Sequence, residues 1–222
     1  MIQLENINKI YNESRPNSFQ ALKDISLHVS KGELLILKGV SGSGKSTLLS
    51  IMGSLIKPSS GSVIVDGESI AKLPDLHASN FRAQKLGFIF QSFNLFEALS
   101  VADNVAIPLT NQSLTLEALH VSVGDAMEIA HISHKKDTEV RLLSGGEKQR
   151  CAIARALVNS PKVILCDEPT ANLDSINSQK FIATIKELNA LGKTIVIATH
   201  DPIFETLDAR VVNIENGSLL KR

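Results

Sequence analysis

The sequence predicts an α/β protein in which a mostly parallel sheet is wrapped by helices, with an antiparallel β layer and an inserted α-helical lobe. Three observations predict it. Apolar runs of strand length, Leu34 to Leu37, Leu86 to Phe90, Lys162 to Cys166 and Thr194 to Ala198, alternate with helix-like segments; such an order builds a parallel sheet buried on both faces. Residues 2–11 and 19–30 instead alternate polar and apolar positions (Ile2, Leu4; Ile25, Leu27, Val29) around the polar loop NESRPNS, as antiparallel strands do. From Ser92 to about Val158 the apolar spacing changes to three and four residues (Leu116, Leu119, Val123, Met127, Ala130), which predicts a helical lobe with an inward stripe.

Taken in order, the first two strands end at Lys31-Gly32, a turn, and Tyr11 closes the first of them. An aromatic residue there is either packing or a face on which a planar ring can stack. The run Leu34 to Leu37 feeds Gly39, Val40, Ser41, Gly42, Ser43, Gly44, Lys45, Ser46 and Thr47, after which Leu48, Leu49, Ile51 and Met52 begin a helix. Lys57 to Gly61 is a turn, Val63 to Val65 a short strand, and Asp66-Gly67 a hairpin turn. Leu86 to Phe90 ends at Gln91. LLSGGEKQR, residues 142–150, opens a helix from Glu147 to Val158, and the strand Lys162 to Cys166 runs into Asp167-Glu168-Pro169. A helix marked by Phe181, Ile185 and Leu188 precedes the strand that ends at Thr199-His200-Asp201, and a hairpin over Val211 to Leu220 turns at Asn216-Gly217.

Composition narrows the classes. The chain has 222 residues, 23 Lys+Arg and 23 Asp+Glu, so its formal net charge is zero and no global field draws it to nucleic acid or anionic lipid. Cys151 and Cys166 sit in apolar surroundings and are expected to be reduced packing residues. No run of 18 apolar residues occurs, so a soluble chain is expected, with membrane contact only through a partner.

The spacing Gly39, Gly44, Lys45, Ser46 after a strand and before a helix is that of a phosphate cradle. Its glycines let backbone N–H groups face inward, Lys45 reaches the β- and γ-phosphates, and Ser46 offers a hydroxyl to Mg²⁺. A nucleoside triphosphate is therefore the expected ligand, although several unrelated chemistries share such a loop. Asp167 at its strand end is placed to support Mg²⁺ and Glu168 to orient or deprotonate water, the alternative being a solvated turn. His200 is either a contact for the γ-phosphate or a cap before the next helix; Gln91 is either a metal ligand through its amide oxygen or an ordinary surface residue. Ser144, Gly145, Gly146 and Glu147 form a second helix N-terminus with exposed N–H groups, hence a second anion site. If these two phosphate-binding surfaces cannot meet within one chain, a head-to-tail dimer is expected.

Together these motifs resemble those of the ABC transporter ATPase subunits, and the resemblance spans essentially the whole chain. It implies a P-loop NTPase (RecA-like) fold in a single domain, 1–222, with a core of 1–91 and 159–222 and a helical lobe of 92–158. It implies ATP and Mg²⁺ as cofactors, Tyr11 as the adenine-stacking aromatic, Gln91 as the Q-loop glutamine and Ser144 to Glu147 as the signature. Glu168 would be the catalytic base, Asp174 part of the D-loop Ala171-Asn172-Leu173-Asp174, and His200 the switch histidine. A transmembrane permease partner, an ATP-dependent homodimer and a position on the cytoplasmic face of the membrane come from the same resemblance, with a soluble DNA-repair or translation ATPase, or an FtsE-like regulatory ATPase, as the alternatives. Residues 86–109 most resemble the branch containing the lipoprotein-release ATPase LolD, the macrolide-export ATPase MacB and the division protein FtsE. In two places the chain departs from the family pattern: Glu147 replaces the commonest glutamine, and Val140 stands where a proline commonly precedes the signature.

Overall fold

The computed structural model describes residues 1–220; the last two residues of the predicted 1–222 domain lie outside the described residues. The chain runs β1 (Ile2–Tyr11), β2 (Phe19–Val29), β3 (Leu34–Lys38), α1 (Lys45–Met52), β4 (Ser60–Val65), β5 (Glu68–Ser69), α2 (Asp75–Lys85), β6 (Leu86–Ile89), α3 (Val101–Ala106), α4 (Leu116–Ile129), α5 (Gly145–Leu157), β7 (Val163–Asp167), α6 (Ser175–Ala190), β8 (Thr194–Thr199), β9 (Arg210–Glu215) and β10 (Ser218–Leu219). One sheet is antiparallel, in the order β2-β1-β4-β5; the other is β10-β9-β3-β8-β7-β6. Every pairing in the second sheet is parallel except that of β10 with β9.

The apolar runs are continuous because the parallel strands are covered on both sides. Along β7, Val163 and Leu165 enter the core shared with α1 and the antiparallel sheet, while Ile164 and Cys166 enter the core beneath α5, α6 and the helical lobe. β3 and β8 alternate in the same way, with Leu35 beside Val196 on one face and Ile36 beside Ile197 on the other. Burial of such side chains is worth about 1.5–3 kcal/mol each. Burial also pushes the Cys151 thiol up to about 12 and the Cys166 thiol further up, so both are inert packing groups.

Three features differ from the sequence-based expectation. α2 has no counterpart in it, because only Ala78 and Phe81 are buried and the apolar stripe is too thin to show a period. The C-terminal hairpin is present, but its first strand also joins the parallel sheet, with Ile36 beside Val211. In α4, Val123, Ala126 and Met127 face the core, whereas Leu116, the first helical residue, is 78% exposed.

Within the segment 92–158, α5 and α3 both hold the stretch that follows β6. Arg155 donates to the carbonyls of Asn94 and Phe93, the latter at 2.6 Å. Both carbonyls belong to residues with left-handed backbone, φ 58 at Phe93 and 50 at Asn94. Fully buried Asn104 accepts the Phe96 N–H at 2.8 Å and donates to the carbonyls of Phe96 at 3.0 Å and Ser100 at 2.9 Å. The loop backbone is thereby fixed, although the Phe96 side chain remains exposed.

Candidate active site

The loop 39–44 leaves β3 and delivers Lys45 as the first residue of α1. Gly44 caps that helix at φ 107, and a Cβ there would lie 2.9 Å from the Ala21 carbonyl oxygen, so only glycine satisfies both the backbone and the space. No side chain caps α1, which leaves its first N–H groups and the positive end of its dipole for a ligand. Lys45 is 4% exposed; its Nζ donates to the carbonyls of Gly39 at 2.7 Å and Val40 at 3.0 Å, and lies 3.6 Å from Glu168 Oε1. The Ser43 hydroxyl is buried with no hydrogen-bond partner among the described residues.

Above the loop lies a cavity of about 260 Å³. Ser41, Gly42 and Gly44 to Thr47 form its phosphate-loop side, Tyr11 and Phe19 its aromatic side, and Gln91 and Glu168 its far rim. Tyr11 and Phe19 are partners in the β1–β2 register, which puts their side chains on one face of the sheet. Lys9 Nζ sits 5.0 Å from the centroid of the Tyr11 ring, a cation–π contact that steadies it. Phe19, which sequence reasoning missed, is 59% exposed in this cavity; its place opposite Tyr11 across the hairpin was the available signal. Val40 is also exposed but lines no part of the cavity.

Asp167 and Glu168 meet the loop because β7 and β3 flank β8 in the sheet. Ser46 Oγ donates to Asp167 Oδ1 at 2.8 Å. Burial raises the Asp167 carboxyl above its ordinary range, against the lowering effect of the Ser46 hydroxyl; the charge on Glu168 raises it further and that on Lys45 lowers it. Glu168 takes a left-handed backbone, φ 43, and its N–H donates to the Ala198 carbonyl at 2.8 Å. Its Oε1 lies 3.0 Å from His200 Nδ1, and its Oε2 accepts from the Thr199 hydroxyl at 3.2 Å.

These residues fit a magnesium-bound nucleoside triphosphate. A buried cation and an orphaned buried hydroxyl lie beside an uncapped helix N-terminus, under a cavity with an aromatic wall. Among the described residues no cluster of three or more His, Cys, Asp or Glu is placed to hold a metal alone, which suits a cation whose other ligands are phosphate oxygens and water. Ser46 and Asp167 would hold that ion, with Gln91 across the cavity on its far rim, and it would neutralise charge developing on the phosphates.

Ser144 to Glu147 and Asp174 line no part of this cavity. Ser144 caps α5 in a reciprocal box: its N–H and its hydroxyl both donate to Glu147 Oε2 at 2.8 Å, and Glu147 N–H donates back to Ser144 Oγ at 3.4 Å. The expected free anion site therefore already carries a carboxylate on two of its donors, and the remaining N–H groups without an intrahelical acceptor are those of Gly145 and Gly146. A Cβ at Gly146 would lie 2.4 Å from Asn177 Oδ1, so this glycine lets α5 approach α6. Asp174 caps α6, accepting from Asn177 N–H at 2.8 Å. Gln149, buried on α5, donates to the Pro169 carbonyl at 3.0 Å and so links the signature helix to the segment after Glu168.

Known proteins resemble this chain throughout its length. The family model described as ABC transporter matches residues 22–171. The lipoprotein-releasing system ATP-binding protein LolD of Pseudoalteromonas translucida is 40% identical over 220 residues, covering 99% of this chain and 94% of its own. The methionine import ATP-binding protein MetN of Pasteurella multocida is 41% identical over 224 residues, covering all of this chain, which spans 64% of that protein's length. Among solved structures, the dimeric ABC transporter cassette MJ0796 superposes with a TM-score of 0.91 at 36% identity, over 100% of this chain and 97% of its own, and the same cassette is known in a post-hydrolysis state bound to ADP and Pi. With the cradle, the paired carboxylates and the helical lobe in one α/β frame, the chain belongs to the ABC transporter family and is an ATPase cassette of it.

Proposed function

We propose that the chain powers a separate transmembrane permease by hydrolysing Mg²⁺-ATP, with Glu168 as the base that activates water and His200 as its partner. The observation that carries this reading is the position of Glu168, whose Oε1 lies 3.0 Å from His200 and 3.6 Å from the cradle lysine. A carboxylate there can take a proton from water on the side where the γ-phosphate would lie, while Lys45 and the N-terminus of α1 stabilise phosphate charge. Glu168→Gln keeps the shape and removes the base, so ATP binding should persist while hydrolysis falls on the order of 10²-fold or more. A variant that turns over at the wild-type rate removes Glu168 from the role.

Tyr11 would stack on adenine. Ser144 to Glu147, with Asp174, would act on the ATP of a second copy, since none of them lines the chain's own cavity; a head-to-tail dimer supplies that geometry. The dimeric state of the MJ0796 cassette supports this arrangement.

Within the family we favour the lipoprotein-release or macrolide-export type. The support is the segment 86–109 together with the LolD relative, which has almost the same length. The permease would dock beside Gln91, on the segment Phe93 to Leu99. There Leu95 packs on the core while Phe96 stays 58% exposed and Leu99 39%, on a backbone that Asn104 fixes from beneath. No described helix is long and apolar enough to cross a membrane, so attachment to the cytoplasmic face would come through that partner. The neutral net charge gives no reason to expect a nucleic-acid partner.

A further inference from the structure

Thr199 is the last residue of β8 and is 1% exposed. Its hydroxyl donates to Glu168 Oε2 at 3.2 Å and accepts the Asp201 N–H at 3.0 Å. The Asp201 carboxylate accepts in turn from the Thr170 hydroxyl at 2.7 Å and from the Ile203 N–H at 3.0 Å. Thr170, 5% exposed, lies two residues beyond Glu168, so these bonds form a ring that leaves the segment after β7 at Glu168 and returns to it at Thr170.

The ring has a chemical consequence. Glu168 holds a backbone conformation that glutamate rarely adopts, φ 43, and three side-chain torsions separate that backbone from its carboxylate. The Ala198 carbonyl anchors the Glu168 N–H, whereas the partners of the carboxylate among the described residues are all side chains. Thr199 does so by binding Oε2, which leaves Oε1 turned toward His200 and Lys45. We propose that Thr199 is a positioning residue for hydrolysis: through its hydroxyl it fixes the rotamer of Glu168, and the Asp201–Thr170 pair fixes Thr199. This rests on the reading of Glu168 as the base.

The test uses the full chain with Mg²⁺-ATP, measuring single-turnover hydrolysis and the affinity for a fluorescent ATP analogue. Thr199→Val preserves shape and removes the hydroxyl; it should slow hydrolysis roughly tenfold or more, since a misplaced reacting group costs rate rather than binding, and leave analogue affinity within about twofold. Thr199→Ser, which restores the hydroxyl, should recover most of the rate. A Thr199→Val variant at the wild-type rate, or a Thr199→Ser variant as slow as Thr199→Val, overturns the proposal. Glu168→Gln in the same assay separates the two readings: a dead Glu168→Gln beside an unimpaired Thr199→Val sinks only the role of Thr199, whereas an active Glu168→Gln sinks both. An activity-free check is thermal unfolding of Thr199→Val in wild-type and Glu168→Ala backgrounds. The drop in Tm should shrink in the second, where the bond to Oε2 no longer exists, and equal drops count against the proposal. Should Thr199→Val fail to fold, Thr170→Val opens the ring at its other end and should slow hydrolysis at least about threefold without loss of affinity; a wild-type rate there overturns the proposal equally.

Discussion

Glu147 holds the N-terminus of α5 with a charge, and replacing it with the neutral amide of glutamine isolates what that charge contributes. Its carboxyl is lowered from an ordinary 4.5 to about 2, first by the Ser144 N–H, then by the Ser144 hydroxyl, with Lys135 adding to this and burial opposing it. Lys135 Nζ lies 3.3 Å away, and the Glu147 side chain is 17% exposed. A shift of this size corresponds to at most about 3 kcal/mol, less some solvent screening. Because the folded state lowers the pKa, the stabilisation is complete above 4.5 and is lost as the pH falls toward 2. Linkage places about 1 kcal/mol of that loss by pH 4 and about 2 kcal/mol by pH 3. Glu147→Gln keeps an acceptor oxygen for both Ser144 donors but cannot titrate. Urea unfolding of the two proteins at pH 7, 5, 4 and 3 should show wild type ahead by about 1–2 kcal/mol at pH 7 and the gap closing below pH 5. All other carboxylates are common to both proteins and cancel in the difference. A gap that stays constant from pH 7 to pH 3 refutes the reasoning.

Three further outcomes are expected. Tyr11→Ala should weaken ATP binding by about tenfold and Tyr11→Phe hardly at all, if a stacked base is worth roughly 1–2 kcal/mol; a titration with a fluorescent ATP analogue decides, and equal affinities return Tyr11 to packing. Phe96→Asp should leave basal ATPase unchanged and abolish copurification with the permease, because the ring is exposed while its backbone is held by Asn104; loss of folding would instead mean that the side chain packs the two lobes together. Lys45→Ala and Ser144→Arg should each be inactive alone, yet mixing them should restore part of the ATPase rate, since a mixed dimer pairs one intact cradle with one intact signature. If neither activity nor an ATP-dependent dimer on gel filtration appears with both variants folded, the composite site is wrong.

How much was legible in the sequence depended on the range of the interactions involved. The strands β3, β6, β7 and β8 showed themselves because they are buried on both faces, and the phosphate loop because its glycines, lysine and serine act within one turn of chain. α2 did not, since a helix that buries only Ala78 and Phe81 leaves almost no periodic signal. The contact between Thr199 and Glu168 was hidden for another reason: the two are 31 residues apart, and their meeting depends on β7 lying beside β8. Spacing says nothing about which strands are neighbours. The capping box was in plain view as Ser144-x-x-Glu147, but the glycines between them drew the reading toward free N–H groups.

The grip of Arg155 on the carbonyls of Phe93 and Asn94 makes α5 a lever. One end of the helix is clamped to the segment on which we place the permease, and the other end begins at Ser144. The thirteen residues of α5 span about 20 Å at 1.5 Å per residue, so a tilt of about 10° at the Arg155 end sweeps Ser144 through roughly 3 Å. That arc is as long as a hydrogen bond. In the composite site proposed above, a small rotation at the docking end would thus shift Ser144 by a hydrogen-bond length relative to the second copy's nucleotide, and the same rod would carry motion in the opposite direction if nucleotide engaged first.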